Sequence, residues 1–160
     1  MTAERVLTAA DRQRWDPDVF VAAQRRLVYD YFAEPRNRPQ WQASLRRVEV
    51  LDEGEPRAGL RWVDHVVGAP PFRLRITRMD PGELWAETGS SGPFTAYGTL
   101  LFEDAERDGV AGTRVTMIAR VTGRGVAGVL APFAMVVAAA LIRNDLARAA
   151  RILGRPGPGV

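Results

Sequence analysis

Phe72-Arg73-Leu74-Arg75-Ile76 is the stretch from which the fold can be read. Successive side chains of a β-strand point to opposite faces, so Phe72, Leu74 and Ile76 share one side and the two arginines the other. An antiparallel sheet with one packed and one wet face shows this alternation. Further along, Val115, Met117, Ala119 and Val121 alternate with Arg114, Thr116 and Arg120. Six such segments are expected, at 47–51, 59–67, 72–79, 83–88, 95–102 and 113–121. Turn sequences separate them: Glu53-Gly54-Glu55-Pro56, Gly68-Ala69-Pro70-Pro71, Asp80-Pro81-Gly82, Gly89-Ser90-Ser91-Gly92-Pro93 and Asp108-Gly109-Val110-Ala111-Gly112. Connections this short suit hairpins, hence an antiparallel meander.

The flanks add a short β-prone run at 18–22 and a helix at 24–33. Leu27, Val28, Tyr31 and Phe32 lie on one face of that helix, and Pro35 ends it. A second short helix at 38–43 carries Trp41. A long alanine-rich helix at 131–153 closes the chain, with Arg148 and Arg151 near its C-terminal end, where cations suit the helix dipole. The fold class is therefore α+β: a curved seven-stranded antiparallel sheet wrapped around a long C-terminal helix, with two short helices between strands 1 and 2. The expected organisation is an N-terminal extension (1–17), one domain (18–153) and a loose tail (154–160). One helix cannot pack tightly over the whole of such a sheet. A cavity between them is the expected result, and apolar pockets with a few polar groups are where small ligands bind.

The composition suits one globular domain: 160 residues, 46% hydrophobic and 26% charged. Every basic side chain apart from the single histidine is arginine. The net charge is only +3 and acids are interleaved with the arginines, so no nucleic-acid-binding tail is expected. Cysteine is absent, which removes disulfides, thiol nucleophiles and thiolate metal sites. The charged opening MTAERVLTAADRQRW does not suit a signal peptide, and a cytoplasmic location is expected. The most apolar segment, 126–142, contains Gly128 and Pro132 and falls short of the roughly 20 residues of a spanning helix. It is read as a buried helix, without stable membrane insertion. Monomer and homodimer both remain open.

Residues 21–35, VAAQRRLVYDYFAEP, are followed by Arg38-Pro39-Gln40-Trp41 and by Ala58-Gly59-Leu60-Arg61-Trp62. Later come Leu101-Phe102-Glu103 and Gly112-Thr113-Arg114-Val115-Thr116. In this order and spacing they resemble the START-like, SRPBCC superfamily, and within it the polyketide cyclase/dehydratase-like and lipid-transport-like proteins. The resemblance covers roughly residues 18 to 153. It implies a helix-grip fold and a hydrophobic cavity holding a polyketide- or lipid-like molecule. The same superfold hosts carriers, cyclases, hydrolases and receptors, so it does not by itself name a reaction. Aromatase/cyclases of this kind place arginines, tyrosines and other polar groups inside the pocket, and none of their catalytic sets maps onto this chain residue by residue.

Two carboxylates stand out. The parity that sends Arg61 to solvent sends Leu60, Trp62, Asp64 and Val66 inward. A carboxylate on an apolar face is costly unless hydrogen-bonded, and desolvation raises its pKa, which suits a general acid or base. The alternatives are that Val63, His65 and Val67 face inward, or that Asp64 pairs structurally with an arginine. The turn at 80–83 sets Arg78 opposite Trp85 and Ile76 opposite Glu87, so Glu87 shares the inward face; the preceding hairpin sets Asp64 opposite Leu74 or Ile76. Asp64 and Glu87 would then lie two strands and about 10 Å apart, with Arg78 able to neutralise either. The catalytic candidates are therefore Asp64, Glu87 and Arg78, unless they form a network of acids and arginines without chemistry. The only histidine, His65, turns outward on this parity, so neither a His-centred triad nor a metal site is expected. Trp41, Trp62, Phe72, Leu74, Ile76, Trp85, Phe94, Met117, Phe133, Val137 and Leu141 are the expected apolar lining. Tyr29, Tyr31 and Tyr97 offer hydroxyls, Tyr97 only if a bulge at Gly98 re-aims it, and Asn144 either reaches the cavity mouth or faces solvent. Two readings follow: a cofactor-independent cyclase or dehydratase, or a non-catalytic carrier, sequestration or resistance protein.

Overall fold

The computed structural model describes residues 5–155. The strands are β1 (Asp18–Val21), β2 (Leu45–Val50), β3 (Arg61–Val66), β4 (Phe72–Asp80), β5 (Leu84–Ser91), β6 (Phe94–Arg107) and β7 (Val110–Gly123). Helices α1 (Arg25–Ala33) and α2 (Arg38–Trp41) fall between β1 and β2, and α3 (Val126–Leu153) follows β7. All seven strands form one antiparallel sheet in the order β1-β7-β6-β5-β4-β3-β2. This is the expected helix-grip architecture. Asp108 and Gly109, both at positive φ, form the two-residue turn between β6 and β7. Such a turn matches strand twist, and it lets both strands run 14 residues, well beyond their expected ends.

The inner face of the sheet carries Trp62, Leu74, Ile76, Trp85, Leu100, Phe102 and Val115, packed against Val28, Phe32, Trp41, Leu146 and Ala149 of the three helices. Phe32 meets Trp41 and Phe102 edge-on, at ring separations of 5.0 and 6.0 Å. On α1 the buried set is Val28, Tyr29, Phe32 and Ala33, whereas Leu27, expected on the packed face, is exposed. The opposite face of the sheet has a smaller core of its own. Leu84, Ala86, Leu101 and Ile118 pack there with Leu7 from the N-terminal segment, and Thr99 Oγ1 donates to the Leu7 carbonyl at 2.8 Å. Leu7, within the expected extension, thus packs onto the sheet; residues 1–4 and 156–160, the latter part of the expected tail, lie outside the described residues.

Helix α3 begins five residues earlier than expected and runs through both Gly128 and Pro132. Its two halves behave differently. The second half buries Leu146 and Ala149, and Asp145 Oδ1 accepts the Ala43 N–H at 3.1 Å, which ties it to the end of α2. The first half is not buried as expected. It sets small side chains, Ala127 and Ala131, inward and large ones outward. Phe133, Val137 and Leu141, expected in the cavity lining, are 71%, 62% and 48% exposed. At 100° per residue Phe133 falls 120–160° from Ala127 and Ala131, so seating these alanines on the sheet turns it outward.

Candidate functional site

Both predicted carboxylates face the interior. Asp64 is 4% and Glu87 9% exposed, and what brings them together is Arg38, 6% exposed, on the first turn of α2. Arg38 donates Nη2 to Asp64 Oδ2 at 3.0 Å and Nη1 to Glu87 Oε2 at 2.8 Å. Trp62 Nε1 donates to the other oxygen of Asp64 at 3.0 Å, and the guanidinium lies 5.4 Å from the Trp62 ring centroid. Sequence reasoning missed Arg38. The available signal was its spacing from Trp41: residues three apart share a helix face, so burying one turns the other inward.

Arg78, expected to neutralise one of the carboxylates, reaches neither. Pairing shifts between Ile76, opposite Glu87, and Arg78, opposite Ala86. The extra residue, Thr77, is a bulge that reverses the inside-outside parity of the strand beyond it. Met79 takes the place opposite Trp85, and Arg78 turns outward to Asp80 at 2.6 Å. Asp64 pairs with Phe72, not with Leu74 or Ile76, because Leu74 stands opposite Trp62. Gly98 carries no bulge; it pairs regularly with Glu87 and Ala119, and Tyr97 remains on the outer face. His65 accordingly binds Glu49 at the surface, at 3.0 Å, and Asn144 is exposed. Among the described residues no group of three or more His, Cys, Asp or Glu side chains could hold a metal ion.

Gly98 has a different use. A Cβ there would stand 3.3 Å from Glu87 Cγ and Oε1 and 2.9 Å from Met117 Cε. The bare backbone therefore lets the Glu87 side chain lie across β6, with Oε2 on Arg38 and Oε1 above Gly98 beside Met117. Electrostatics follow from burial. Desolvation pushes Glu87 up, Arg38 pulls it down and Asp64 pushes it up again, with a net rise above the ordinary carboxyl value. Burial alone would pull Arg38 down, but Asp64 and Glu87 more than offset that. Two carboxylates around one guanidinium leave an excess negative charge, which a proton on Glu87 removes. Arg38 Nε, Trp41 Nε1 and Trp85 Nε1 are also buried, without a protein acceptor.

Of the other expected lining residues, Trp41, Trp62, Leu74, Ile76 and Trp85 are core, while Phe72, Phe94 and Met117 are partly exposed. Recesses of about 180 to 510 Å³ open on the molecule, one of them touching Trp62 and Leu74, and neither carboxylate lines these. The cluster is thus packed in. Of the partly exposed inner positions, Phe94 pairs with Gly123, three residues before α3.

Sheet, gripping helix and an internal polar cluster define a helix-grip protein. The chain belongs to the family described as polyketide cyclase / dehydrase and lipid transport, whose model matches residues 12–155. The solved structure of the Zhui aromatase/cyclase from Streptomyces sp. R1128 is 18% identical, covering 91% of this chain and 97% of that one, with a TM-score of 0.69. A Helicobacter pylori protein is 10% identical with coverages of 96% and 98% and a TM-score of 0.70. For a Deinococcus radiodurans protein the figures are 22%, 86%, 93% and 0.60. No curated protein sequence matches.

Proposed function

We propose that this protein binds a hydrophobic, oxygen-bearing small molecule of polyketide- or lipid-like type between the first half of α3 and the sheet, and acts on it by proton transfer from Glu87. The observation that carries the reading is the Arg38–Asp64–Glu87 cluster, buried among tryptophans on an otherwise apolar face. A guest wedged beside Phe72, Phe94 and Met117 would meet Oε1 of Glu87 above Gly98. Trp85 Nε1, two residues from Glu87 on the same face, suits an oxygen of the guest. In a dehydration, protonated Glu87 gives its proton to the departing hydroxyl, which leaves as water. The carboxylate then takes the proton from the adjacent carbon as the double bond forms. Arg38 holds the carboxylate in place throughout, and Asp64 with Trp62 fixes Arg38. The family and its aromatase/cyclase structural relative favour this chemistry.

A carrier role is favoured by one specific observation: the two carboxyl groups are hydrogen-bonded to the Arg38 guanidinium and all three side chains are nearly closed off. Native mass spectrometry of freshly purified protein, followed by incubation, separates the readings. A retained guest that loses water, and no longer does so in Glu87→Gln, supports the enzyme. A retained, unaltered guest supports the carrier, and protein that retains no hydrophobic compound offered to it overturns both.

A further inference from the structure

The first half of α3 is built inside out. Val126, Val129, Leu130, Phe133, Val136, Val137 and Leu141 are all exposed, while alanines face the sheet. The helix is long and apolar enough to cross a membrane, yet only 11% of its most apolar window is buried. A patch of this kind is several hundred Å² of apolar surface, at or above what monomers ordinarily leave bare, and such patches mark interaction sites.

Charge selects the occupant. From Gly109 to Asn144 the sequence has no Asp or Glu, while Arg124 stands just before the apolar run and Arg143 just after it. A second copy of the chain, docked through the same helix about a twofold axis, would bring Arg124 and Arg143 of the two copies together with no acid in either helix segment to offset them. An anionic lipid surface offers apolar depth and negative charge at once. Trp15 supplies an independent observation. It is 61% exposed, its carbonyl accepts from Arg143 Nη2 at 3.1 Å, and with Met135, Val136 and Ala139 it lines a recess beside α3. Tryptophan beside an apolar segment, flanked by cations, is the composition of a membrane-water boundary.

We propose that the first half of α3, with Trp15, Arg124 and Arg143, is a docking surface for anionic phospholipid bilayers. The helix lies flat, immersing the Phe133 face over about 25 Å, the length of 17 helical residues, while the two arginines engage headgroups. This goes beyond the ligand-binding reading and stands whether or not Glu87 is catalytic.

The test is flotation of the full chain with phosphatidylcholine vesicles, with and without a third of phosphatidylglycerol. Trp15 is read alongside by brominated-lipid quenching, with Trp15→Phe as its control; the other three tryptophans are buried. Binding is expected to the anionic vesicles, with Trp15 quenched. It should fall roughly tenfold or more in Phe133→Asp/Val137→Asp and by a similar factor in Arg124→Gln/Arg143→Gln. Circular dichroism checks that the variants fold; should the aspartates unfold the chain, quenching of Trp15 in the wild type decides. No binding to anionic vesicles, or binding indifferent to both pairs with Trp15 unquenched, overturns the proposal. A wild-type dimer that Phe133→Asp/Val137→Asp converts to monomer also overturns it, assigning the face to a second copy.

Discussion

Replacing Arg38 by methionine removes the only cation, among the described residues, within hydrogen-bonding distance of two buried carboxylates, while keeping most of the side-chain volume. Both ion pairs, at 3.0 and 2.8 Å, are lost together. Breaking one buried pair from one side costs about 3–5 kcal/mol, because the remaining charge stays buried and uncompensated. Against the roughly 5–15 kcal/mol of a typical domain, Arg38→Met should lose a third or more of its stability at neutral pH. The loss depends on pH, and its sign follows from Glu87. Its folded pKa lies above the ordinary value of 4.5. Its contribution to stability is therefore fully present below that value and is lost as pH rises through the folded pKa. Removing Arg38 removes the influence that pulls Glu87 down, so the folded pKa climbs further and the decline with pH deepens. Urea unfolding followed by tryptophan fluorescence should find the variant's deficit smallest near the ordinary carboxyl value of 4.5 and growing as pH rises above it. Adding Glu87→Gln should restore part of the loss and flatten the profile. A loss below about 1 kcal/mol at neutral pH, or one that does not change with pH, refutes the reasoning.

Three further outcomes are expected. Gly98→Ala sets a methyl group against the flexible end of Met117 and 3.3 Å from Glu87, so it should cost about 1 kcal/mol, the low end of overpacking; thermal unfolding measures it, and a raised midpoint would count against Glu87 lying across β6. Gly112→Ala brings a Cβ against the Val21 carbonyl and the Phe20 ring, so β1 should detach, seen as early hydrogen exchange of Val19 and Val21 amides; protection equal to wild type contradicts it. Burial, then Asp80, pushes the Tyr29 phenol up to about 12. The contribution of Tyr29 to stability is thus fully present below 10.0 and lost as pH rises from there through about 12, and absorbance at alkaline pH should show Tyr29 ionising well after an ordinary tyrosine; ionisation at the ordinary value of 10.0 counts against its burial.

Alternation and turn chemistry made the sheet legible, because Phe72, Leu74 and Ile76 obey a period that only a half-buried strand needs. The inward aim of Asp64 and Glu87 followed from the same parity. What parity cannot carry is a change in itself. Thr77 adds one residue without any proline or glycine to mark it, and everything predicted for Arg78 turned over with it. Arg38 escaped because it comes from outside the sheet, and strand periodicity says nothing about which helical side chain will reach across. In α3 both faces are apolar, so the composition that marked it as a helix left its rotation undetermined. Phe133, Val137 and Leu141 were assigned to the wrong side for that reason.

Leu7 has a practical bearing on how the protein is handled. The family match starts at residue 12, and a version trimmed to that boundary would look complete by homology. It would nonetheless strip the lid from Leu84, Ala86, Leu101 and Ile118 and leave the Thr99 hydroxyl without its acceptor. The price of that tidy truncation would be a sticky back to the sheet, and any self-association then measured would belong to the trimming and not to the protein.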